Sequence, residues 1–398
     1  MTDLLSLAAA IRAVLDRVTP LSAEVVPLTA GAGRFLAEPA RAAIDLPPFP
    51  SSAMDGYALR AGDTPGRFPV VFRIAAGRPA PDPLAPGEAM AIATGGVVPD
   101  GADAVVPIEL VTETDGELAV PDRLEPGWNV RPRGGDVPAG TEVVATGSRL
   151  GPAQIGALAA AGLASVSCTR RPRVAVVTTG TELRAPGSTL APGEIFESNG
   201  PMLATQLAAA GGGVEEPVSV ADDLGAHRAA IEHGLELDVL VTSGGVSVGP
   251  HDLVRRIERE LGVEEVFWGV AVKPGKPISF GVRGETLVFG LPGNPVSSLV
   301  MCELLVCPAL NALQGAAEPG PRFEAARLAA DVDRDPRRDV LVRAVAAFGE
   351  FDVELVPLTG QDSHMIARAA AANALALIPR GDGVQAAGST VRYLRIAA

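Results

Sequence analysis

The chain has 398 residues, and 33 lysines and arginines face 47 aspartates and glutamates, which gives a formal net charge of −14. An acidic surface repels nucleic acid and anionic membranes, which argues against both as partners. The 3 cysteines form no C-x-x-C pair and are odd in number, a pattern typical of reduced thiols in a cytoplasm. The most apolar run, residues 153–164, is too short to cross a bilayer, so we expect a cytoplasmic protein.

The first part of the chain changes character twice. Residues 1–45 begin with an amphipathic pattern that predicts one helix, followed by a short extended segment. Residues 46–144 carry short apolar runs separated closely by Pro, Gly and Asp, which predicts a β-rich module of short strands. A helix then opens at Gly151-Pro152 and ends near Gly162. We therefore group residues 1–45 and 145–170 as one discontinuous helical and linker subdomain.

Residues 171–316 alternate strand and helix patterns at the spacing of βαβ units. The predicted strands cover 174–177, 214–220, 239–242 and 286–290. The predicted helices cover about 200–210, a segment capped by Asp222, residues 252–261, and residues 295 to about 313. This order predicts a mostly parallel α/β sandwich with helices on both faces of the sheet.

A proline-rich linker at about 317–321 precedes the last region, residues 320–398. Its alternating segments, at 340–345, 353–356, 374–378 and 391–396, predict a small β-barrel or sandwich. The predicted fold class is therefore a multidomain chain with one α/β domain, a β-rich N-terminal module and a small C-terminal β-barrel.

Three glycine-containing loops follow predicted strands of the α/β region. They are Thr178-Thr179-Gly180-Thr181-Glu182, the loop that starts Ser243-Gly244-Gly245, and Leu291-Pro292-Gly293-Asn294-Pro295. Ligands of parallel sheets bind at the carboxyl ends of the strands, where glycines allow close backbone approach and amides point toward anions. One such loop is often only a turn, but three at one edge predict an anion site.

The only two lysines of the chain are Lys273 and Lys276, in the segment Val-Lys-Pro-Gly-Lys-Pro, whereas all other basic residues are arginines. A compact ammonium can grip a phosphate or a tetrahedral oxyanion as a point charge, which a flat guanidinium does differently. The prolines stiffen the segment. The alternative is a solvated surface turn, but the neighbouring glycine loops favour an anion site.

Three acids, Glu182, Asp222 and Asp252, fall at strand ends or helix starts of the same predicted edge. Carboxylates beside a phosphate usually hold a hard cation, and Mg²⁺ is the usual one. Helix N-capping is an equally good explanation for Asp222 and for Asp252. Glu182 follows the glycine loop and caps no predicted helix, so a functional role is favoured there.

The β-rich module contributes a second group of polar residues. Asp55 lies in Ser-Ala-Met-Asp-Gly-Tyr-Ala, Thr94 precedes Gly95-Gly96, and Arg131, Arg133 and Asp136 crowd one glycine-rich loop. Asp-Gly and Gly-Gly are also ordinary hairpin turns. Two arginines and an aspartate in one loop of an acidic protein nevertheless indicate a binding role.

Taken in order, these segments resemble the MoeA family of molybdopterin molybdenumtransferases, which includes the gephyrin E domain. The resemblance spans nearly the whole chain and rests on these segments: Ser-Ala-Met-Asp-Gly-Tyr-Ala (52–58), Ala-Thr-Gly-Gly (93–96), Gly-Ala-Asp-Ala-Val-Val (101–106), Arg-Pro-Arg-Gly-Gly-Asp (131–136), Thr-Gly-Thr-Glu-Leu (179–183), Ser-Gly-Gly-Val-Ser-Val-Gly (243–249), Lys-Pro-Gly-Lys-Pro (273–277), Gly-Leu-Pro-Gly-Asn-Pro-Val-Ser (290–297), and Gln361–His364 with Ala372-Asn373.

The resemblance implies a homodimeric cytoplasmic enzyme that inserts molybdenum from molybdate into adenylated molybdopterin, uses Mg²⁺ and releases AMP. It implies the molybdopterin adenylyltransferase as a partner, and an α/β domain like that of the MogA proteins. The family's functional residues fall on Asp55, Thr94, Arg131, Asp136, Glu182, Asp222, Asp252, Lys273, Lys276, Pro292 and Pro295. Catalysis in such a site comes chiefly from positioning and charge neutralisation.

Two departures from the family pattern leave the choice between molybdate and tungstate open. Gly200 and Gly269 stand where many relatives carry a basic residue. Two other functions are also considered. A molybdopterin adenylyltransferase would resemble residues 171–313 but needs neither β region, and a non-catalytic scaffold like the gephyrin E domain would not need the acids and lysines.

Overall fold

The computed structural model describes residues 4–221, 223–245, 253–350 and 352–396. The chain forms two compact units. The β unit comprises Val25–Ala32 and Glu38–Cys168, and the large unit comprises Met1–Glu24, Gly33–Ala37 and Thr169–Ala398. The strands Ala23–Pro27 and Ser165–Thr169 each include a boundary between the two units.

The main sheet of the β unit has six strands, in the order Ala104–Pro107, Gly56–Leu59, Ala89–Ile92, Gly66–Ile74, Glu117–Val120 and Thr112–Thr114. Neighbouring strands of this sheet run antiparallel, except that Gly66–Ile74 and Ala89–Ile92 are parallel. Gly56 lies in a strand rather than in a turn, and an added Cβ would stand 2.0 Å from the carbonyl oxygen of Val106. The glycine of the Asp-Gly pair therefore allows two strands to approach each other.

Shorter elements complete the β unit. Ser51–Ser52 pairs with Val130–Arg131, and Ala40–Arg41 pairs with Glu142–Val144. The α-helix Pro152–Ala160 begins with a proline, whose missing N–H costs nothing at a helix start. Three short 3₁₀ turns cover Leu28–Gly31, Ala61–Asp63 and Ile108–Leu110.

The large unit is built on a seven-stranded sheet whose strands are Gly213–Val214, Val218–Val220, Arg173–Thr179, Val239–Ser243, Thr286–Leu291, Ser279–Arg283 and Glu264–Trp268. The pairs that join the first five strands are parallel, and the last two strands are antiparallel. The prediction of one continuous strand over residues 214–220 was wrong. Pro217 lies in the middle and has no N–H for a strand ladder, so two short strands form instead.

Helices cover both faces of this sheet, which confirms the predicted arrangement. Val174 and Val176 pack into one core with residues of the helices Leu7–Leu15, Asn199–Ala209 and Pro295–Met301. Ala175 and Val177 pack into a second core with residues of Leu224–Gly234 and Leu253–Glu260. Successive side chains of a strand point to opposite faces, so one buried run serves both cores.

The last helix of the α/β region is continuous from Pro295 to Leu313 but contains a π-helical turn. Pro295–Met301 and Cys307–Leu313 are α-helical, and Cys302–Val306 between them is π-helical. Pro308 cannot donate a backbone hydrogen bond to this turn, which accounts for the local widening. The helix is long and apolar enough to span a membrane, but 78% of its apolar window is buried inside the protein, as in a core helix.

The C-terminal region is a closed five-stranded barrel, and with it the predicted fold class is confirmed. Its strands, in order around the barrel, are Asp339–Phe348, Val353–Pro357, Phe323–Leu328, Thr390–Arg395 and Ala374–Ile378, and the last pairs with the first. The short strand Val272–Lys273 adds to it in parallel, with Lys273 opposite Val340. Small pairs, Leu183–Arg184 with Ile195–Phe196 and Val332–Asp333 with Val384–Gln385, and the helix Ile366–Ala369 complete the unit.

The helix that begins at Leu224 is not capped by Asp222, which was the alternative to a functional role for this residue. The N-cap of Leu224–Gly234 is Asp223, whose Oδ1 accepts a hydrogen bond of 2.7 Å from the amide of Ala226. The cap was therefore placed one residue too early. Asp222 itself and Asp252 lie outside the described residues, so the structure does not place these two acids.

Candidate functional site

The parallel strands bring the three glycine loops to one edge of the sheet. Thr178 pairs with Ser243, and Ser243 pairs with Leu291, so the ends of three strands lie in one row. The hydroxyl of Ser243 donates to the carbonyl oxygen of Pro292 at 3.2 Å and lies 3.1 Å from Ser298 Oγ. The predicted convergence of these loops is thus a feature of the folded chain.

Glycine is required where the second loop leaves its strand. Gly244 and Gly245 have φ values of +96° and +67°, a region that other residues rarely adopt. A Cβ added to Gly244 would lie 2.7 Å from Thr179 Oγ1 and 2.8 Å from its carbonyl oxygen. The first and second loops therefore approach each other closely at Thr179 and Gly244.

A cavity of about 500 Å³ opens at this edge of the sheet. We call it the glutamate cavity, and it is lined by Glu182, Glu197, Thr178, Asn199, Ser243, Asn294, Pro295 and His364, among others. Glu182 is exposed, whereas Glu197 is 8% exposed and accepts a hydrogen bond of 2.9 Å from the amide of Gly200. Both carboxylates thus lie on one cavity.

Two buried polar atoms on the glutamate cavity lack a hydrogen-bond partner within the described part of the chain. Asn199 Nδ2 donates to Ser243 Oγ at 2.9 Å and to the Gly293 carbonyl at 2.8 Å, which fixes the amide, yet Asn199 Oδ1 has no partner. Thr178 Oγ1 likewise has none. Buried polar groups are normally satisfied, so such atoms fit a site that is completed by a ligand.

A second cavity, of about 470 Å³, contains both lysines of the chain. This lysine cavity is lined by Lys273, Lys276, Pro292, Asn294, Ser297, Arg338, Gln361, Asp362, Ser363 and His364, among others. Lys273 reaches it from the short strand beside the barrel, and Arg338 directly precedes the barrel strand Asp339–Phe348. Three cations therefore surround one cavity of an acidic protein.

Arg338 is held in place by Asp335. Its Nη2 lies 2.7 Å from Asp335 Oδ2, and its Nε donates to the same oxygen at 3.2 Å. This guanidinium, with backbone amides at 337 and 338, lowers the pKa of Asp335 from its ordinary 3.8 to about 2. The carboxylate stays ionised at neutral pH and orients Arg338.

The two cavities share Asn294 and His364. Asn294 Nδ2 donates to Ser363 Oγ at 3.0 Å, and the amide of Val296 donates to the Ser363 carbonyl at 3.1 Å. The loop that carries Ser363 and His364 is therefore bound to the start of the Pro295–Met301 helix. A ligand of the sheet edge and a ligand of the lysines would lie side by side.

The β unit brings together Asp55 and Thr94, which lie 39 residues apart in sequence. Asp55 Oδ1 accepts from the Thr94 amide at 2.6 Å and from its hydroxyl at 2.8 Å. The hydrogen bond from the Thr94 amide, and after it the bond from the hydroxyl, lowers the pKa of Asp55, so its carboxylate is ionised at neutral pH. Sequence reasoning selected both residues separately, and the structure pairs them.

The arginine loop of the β unit is partly structural. Arg133 Nε donates to Asp45 Oδ2 at 2.5 Å, so its charge serves an ion pair. The amide of Asp136 donates to the Leu46 carbonyl at 2.9 Å. Arg131 lies opposite Ser51 in a two-stranded pair and is exposed. Of the two arginines, Arg131 is the one that remains suited to ligand binding.

Within the described ranges, no group of three or more His, Cys, Asp or Glu side chains could hold a metal ion. Of the three proposed magnesium ligands only Glu182 is described, and it lines the glutamate cavity. Mg²⁺ is usually held by one or two carboxylates and by the phosphate oxygens of its substrate. A sparse donor set with Glu182, next to unpaired polar atoms, fits that mode of binding.

The two glycine departures have structural consequences in this chain. Gly269 has a φ of +86°, and a Cβ there would stand 2.6 Å from Leu4 Cδ2. Gly200 has no such strain, but an added Cβ would lie 2.7 Å from Glu197 Oε2. A basic side chain at 200 would therefore meet a carboxylate of the glutamate cavity, and the glycine leaves that carboxylate without a cationic neighbour from this position.

Sequence reasoning gave no role to several residues that line the two cavities: Glu197, Asn199, Ser297, Arg338 and His364. Ser297 and His364 lie in the motif segments 290–297 and 361–364, but neither was selected as a site residue. Ser-Asn before the Asn199–Ala209 helix could have been noted as a helix start, and Arg338 is one of many arginines. Only the fold selects them.

The fold defines a class of protein: an α/β domain with a polar cavity at the carboxyl edge of its sheet, in one chain with a closed barrel and a β unit. Three family models cover the chain. "MoeA N-terminal region (domain I and II)" matches residues 5–162, "Probable molybdopterin binding domain" matches 175–312, and "MoeA C-terminal region (domain IV)" matches 325–396.

Relatives agree over nearly the full length. Molybdopterin molybdenumtransferase 2 of Mycobacterium tuberculosis is 36% identical over 394 residues, covering 95% of this chain and 96% of the relative. Molybdopterin molybdenumtransferase of Bacillus subtilis is 34% identical over 385 residues, covering 94% and 90%. A crystal structure of the MoeA protein of Pyrococcus horikoshii is 34% identical, with a TM-score of 0.81 and 99% of both chains covered.

The chain therefore belongs to the MoeA family, the enzymes of molybdenum cofactor biosynthesis whose curated members reported above are named molybdopterin molybdenumtransferases. A crystal structure of a MoeA protein from Pyrococcus horikoshii OT3, 27% identical to this chain, has a TM-score of 0.84 and covers 99% of this chain. Family membership confirms the resemblance that was drawn from the sequence motifs.

Proposed function

We propose that this protein transfers molybdenum from molybdate into adenylated molybdopterin and releases AMP. The observation that carries the proposal is the lysine cavity, where Lys273 and Lys276 converge in a chain of net charge −14, next to Arg338, whose guanidinium is held by Asp335. A doubly charged tetrahedral oxyanion matches such a set of cations, since ammonium groups bind it as point charges and a guanidinium adds directed bonds. In a chain of net negative charge, a local group of cations favours the binding of an anion at that place.

The neighbouring glutamate cavity takes the pyrophosphate side of the pterin substrate in this proposal. Ser243 lines this cavity, and the turn of Gly244 and Gly245 follows it at the carboxyl edge of the sheet, where glycines allow the close approach of phosphate oxygens. The amide of Gly244 itself donates to the carbonyl of Leu291 at 3.1 Å. Asn294 belongs to both cavities, and Pro292 and Pro295 shape the loop beside it. Substrate and oxyanion are thus held side by side, and positioning of the two anions supplies most of the rate enhancement.

Mg²⁺ is part of the proposal, with Glu182 as a ligand together with Asp222 and Asp252, which the structure does not describe. When bound, the ion neutralises charge on the phosphate oxygens of the substrate. Glu182 faces the glutamate cavity and is exposed, so its carboxylate is available to the ion and to water. Removing bound metal with EDTA should abolish AMP release, and added Mg²⁺ should restore it.

The proposal extends to residues of the β unit and to the assembly. Asp55 with Thr94, and Arg131 with Asp136, contribute to binding the pterin dithiolene or the oxyanion. The Asp55 carboxylate, held ionised by Thr94, can accept hydrogen bonds from pterin N–H groups. We further propose a cytoplasmic homodimer that receives its substrate from the molybdopterin adenylyltransferase, in keeping with the family resemblance.

The test is AMP release from adenylated molybdopterin with Mg²⁺, with and without molybdate. We expect AMP release to depend on molybdate. Lys273→Ala and Lys276→Ala should each reduce this release by at least about tenfold, because each removes one charge-assisted bond. Arg67→Ala is the control, because Arg67 is an exposed cation of the β unit that pairs with Glu117. Tungstate in place of molybdate tests the oxyanion preference.

Two outcomes would contradict the proposal. Adenylation of free molybdopterin with ATP, without molybdate-dependent AMP release, would identify an adenylyltransferase. Neither reaction, from a folded protein that still binds the substrates, would identify a scaffold.

A further inference from the structure

Arg343 is a buried arginine that the proposed chemistry does not use. It lies on the barrel strand Asp339–Phe348, and the residue is 2% exposed. Its guanidinium donates to three backbone carbonyls: that of Gly360 at 2.8 Å, that of Met365 at 3.0 Å and that of Asp362 at 3.2 Å. All three acceptors belong to a single loop, residues 358–365, which we call the barrel loop.

Gln361 completes the contact between Arg343 and the barrel loop. Its Oε1 accepts from the Arg343 amide at 3.0 Å and from Arg343 Nε at 3.3 Å. Its Nε2 donates to the carbonyls of Arg343 at 2.9 Å and of Leu358 at 2.8 Å. The loop is therefore bound at several points from the outer face of the barrel strand, since Val342 and Ala344 on the opposite face of that strand fill the barrel core.

A guanidinium stays charged in proteins, so its burial is costly unless its donors find acceptors. Desolvation lowers the pKa of Arg343, with the Asp362 charge opposing that shift. A leucine or methionine would fill a similar buried volume at no such cost. The planar fork of arginine instead provides five donors in fixed directions, which suits the fixing of several carbonyls at once.

The same loop also forms one wall of the lysine cavity. Asp362, Ser363 and His364 line that cavity, and His364 also lines the glutamate cavity. Ser363 binds the start of the Pro295–Met301 helix through Asn294 and Val296. The barrel loop is thus bound by Arg343 and, through Ser363, by Asn294 and Val296 at the start of the last helix.

We propose that Arg343 is a positioning residue for the oxyanion site: by fixing the carbonyls of the barrel loop, it sets where Ser363 and His364 stand relative to Lys273 and Lys276. Arg343 itself does not touch the ligand. The inference rests on the proposed function, because it assumes that the lysine cavity binds the oxyanion. Its first consequence, the order of the barrel loop, can be measured without any ligand.

The first test is hydrogen–deuterium exchange of residues 358–365 in the unliganded protein. Arg343→Lys keeps the charge but loses the fork, and Arg343→Met keeps the volume but loses charge and donors. Tyr393→Phe is the control, because Tyr393 is also fully buried in the barrel and its hydroxyl donates to Glu324 at 2.7 Å. We expect both Arg343 variants to exchange this loop about tenfold faster, and the control to leave it unchanged.

The second test is the binding of molybdate alone, by calorimetry at a temperature where every variant is folded. We expect a dissociation constant raised about tenfold in both Arg343 variants, and an unchanged one in Tyr393→Phe even if its melting temperature falls equally. AMP binding should be unchanged in all three. A purely structural role of Arg343 would lower melting temperatures without separating molybdate from AMP.

The variant Lys276→Ala distinguishes a failure of the positioning role of Arg343 from a failure of the proposed function. If it weakens molybdate binding while the Arg343 variants bind normally, the positioning role is wrong and the proposed function stands. If Lys276→Ala binds molybdate as tightly as the unmodified protein, the oxyanion site is elsewhere, and the inference falls with the proposed function. Unchanged exchange of the barrel loop in Arg343→Met would overturn the inference in either case.

Discussion

Gly275, between the two lysines, shows how much of the site depends on single residues. Its φ is +104°, and an added Cβ would stand 2.4 Å from Met301 Cγ. The backbone of the lysine segment therefore runs directly over the side chain of the buried helix beneath it. A side chain at this position would strain the backbone and push the segment that carries Lys273 and Lys276 away from its support.

We predict that Gly275→Ala lowers the free energy of unfolding by about 2 to 4 kcal/mol, from left-handed strain and from overpacking against Met301. Gly284→Ala is the matched control. Gly284 also has a positive φ, +58°, but no atom lies within 4 Å of its added Cβ, so only the strain remains. Chemical denaturation of both variants separates the two contributions. Equal losses would show that Met301 moves aside freely.

A second prediction at this scale concerns the pH dependence of stability. The pKa of Asp335 is lowered from 3.8 to about 2 by Arg338 and by two backbone amides. The folded protein thus binds this proton less readily than the unfolded chain, so the carboxylate stabilises the fold above pH 3.8, and the contribution is lost as the pH falls through about 2.

Asp335→Asn removes this pH-dependent contribution. We expect the difference in unfolding free energy between the unmodified protein and the variant to be constant above pH of about 5 and to shrink below pH of about 4. Denaturant titrations across this range measure it. A difference that does not change with pH would mean that the ion pair with Arg338 contributes no net stability.

At the scale of elements, helix caps and strand faces follow local rules. The helix Leu224–Gly234 begins where Asp223 can accept a hydrogen bond from the Ala226 amide. Sequence patterns located the helix but chose the neighbouring aspartate as its cap. Two adjacent acids are equally suited by type, and only the backbone conformation decides which one caps.

Asp223→Ala should therefore lower the free energy of unfolding by about 1 kcal/mol, the usual value of an N-cap bond. Asp223→Asn is the control, because asparagine caps as well as aspartate and should retain most of the stability. Thermal and chemical unfolding measure both. The proposed magnesium role of Asp222 predicts the reverse pattern for its own variants, with lost AMP release rather than lost stability. A stable Asp223→Ala variant would contradict the assignment of the cap.

At the scale of the whole molecule, the two units have separate hydrophobic cores. The core of the β unit contains Leu118 and other residues between positions 57 and 124. The main core of the large unit contains Leu305 and residues from its sheet, its helices and its barrel. Each unit thus buries its own apolar surface, as independently folding domains do.

We predict that calorimetry resolves more than one unfolding transition, because chains with separate cores rarely unfold in a single step. Leu118→Ala and Leu305→Ala each remove a fully buried side chain, at a cost of about 2 to 5 kcal/mol. Leu118→Ala should lower the transition of the β unit, and Leu305→Ala that of the large unit. If both lower one common transition equally, the two units unfold as one.

Much of the architecture follows from local patterns. The alternation of strands and helices over 171–316 predicted the parallel sheet because hydrophobic periods of 2.0 and 3.6 residues are properties of short segments. The same holds for the barrel strands. The two lysines, the three glycine loops and Glu182 were also found this way, because each is unusual within its own few residues.

The remaining parts of the site depend on contacts between distant segments. Asn199, Ser243, Asn294 and His364 meet only because the sheet places its strands in a particular order and the barrel loop anchors on the last helix. The strand order, the choice of Asp223 as cap and the ion pair that takes Arg133 are likewise tertiary outcomes. Local sequence determines which segments can form elements and carry charge, but the burial of their apolar faces decides which of those charges share a cavity.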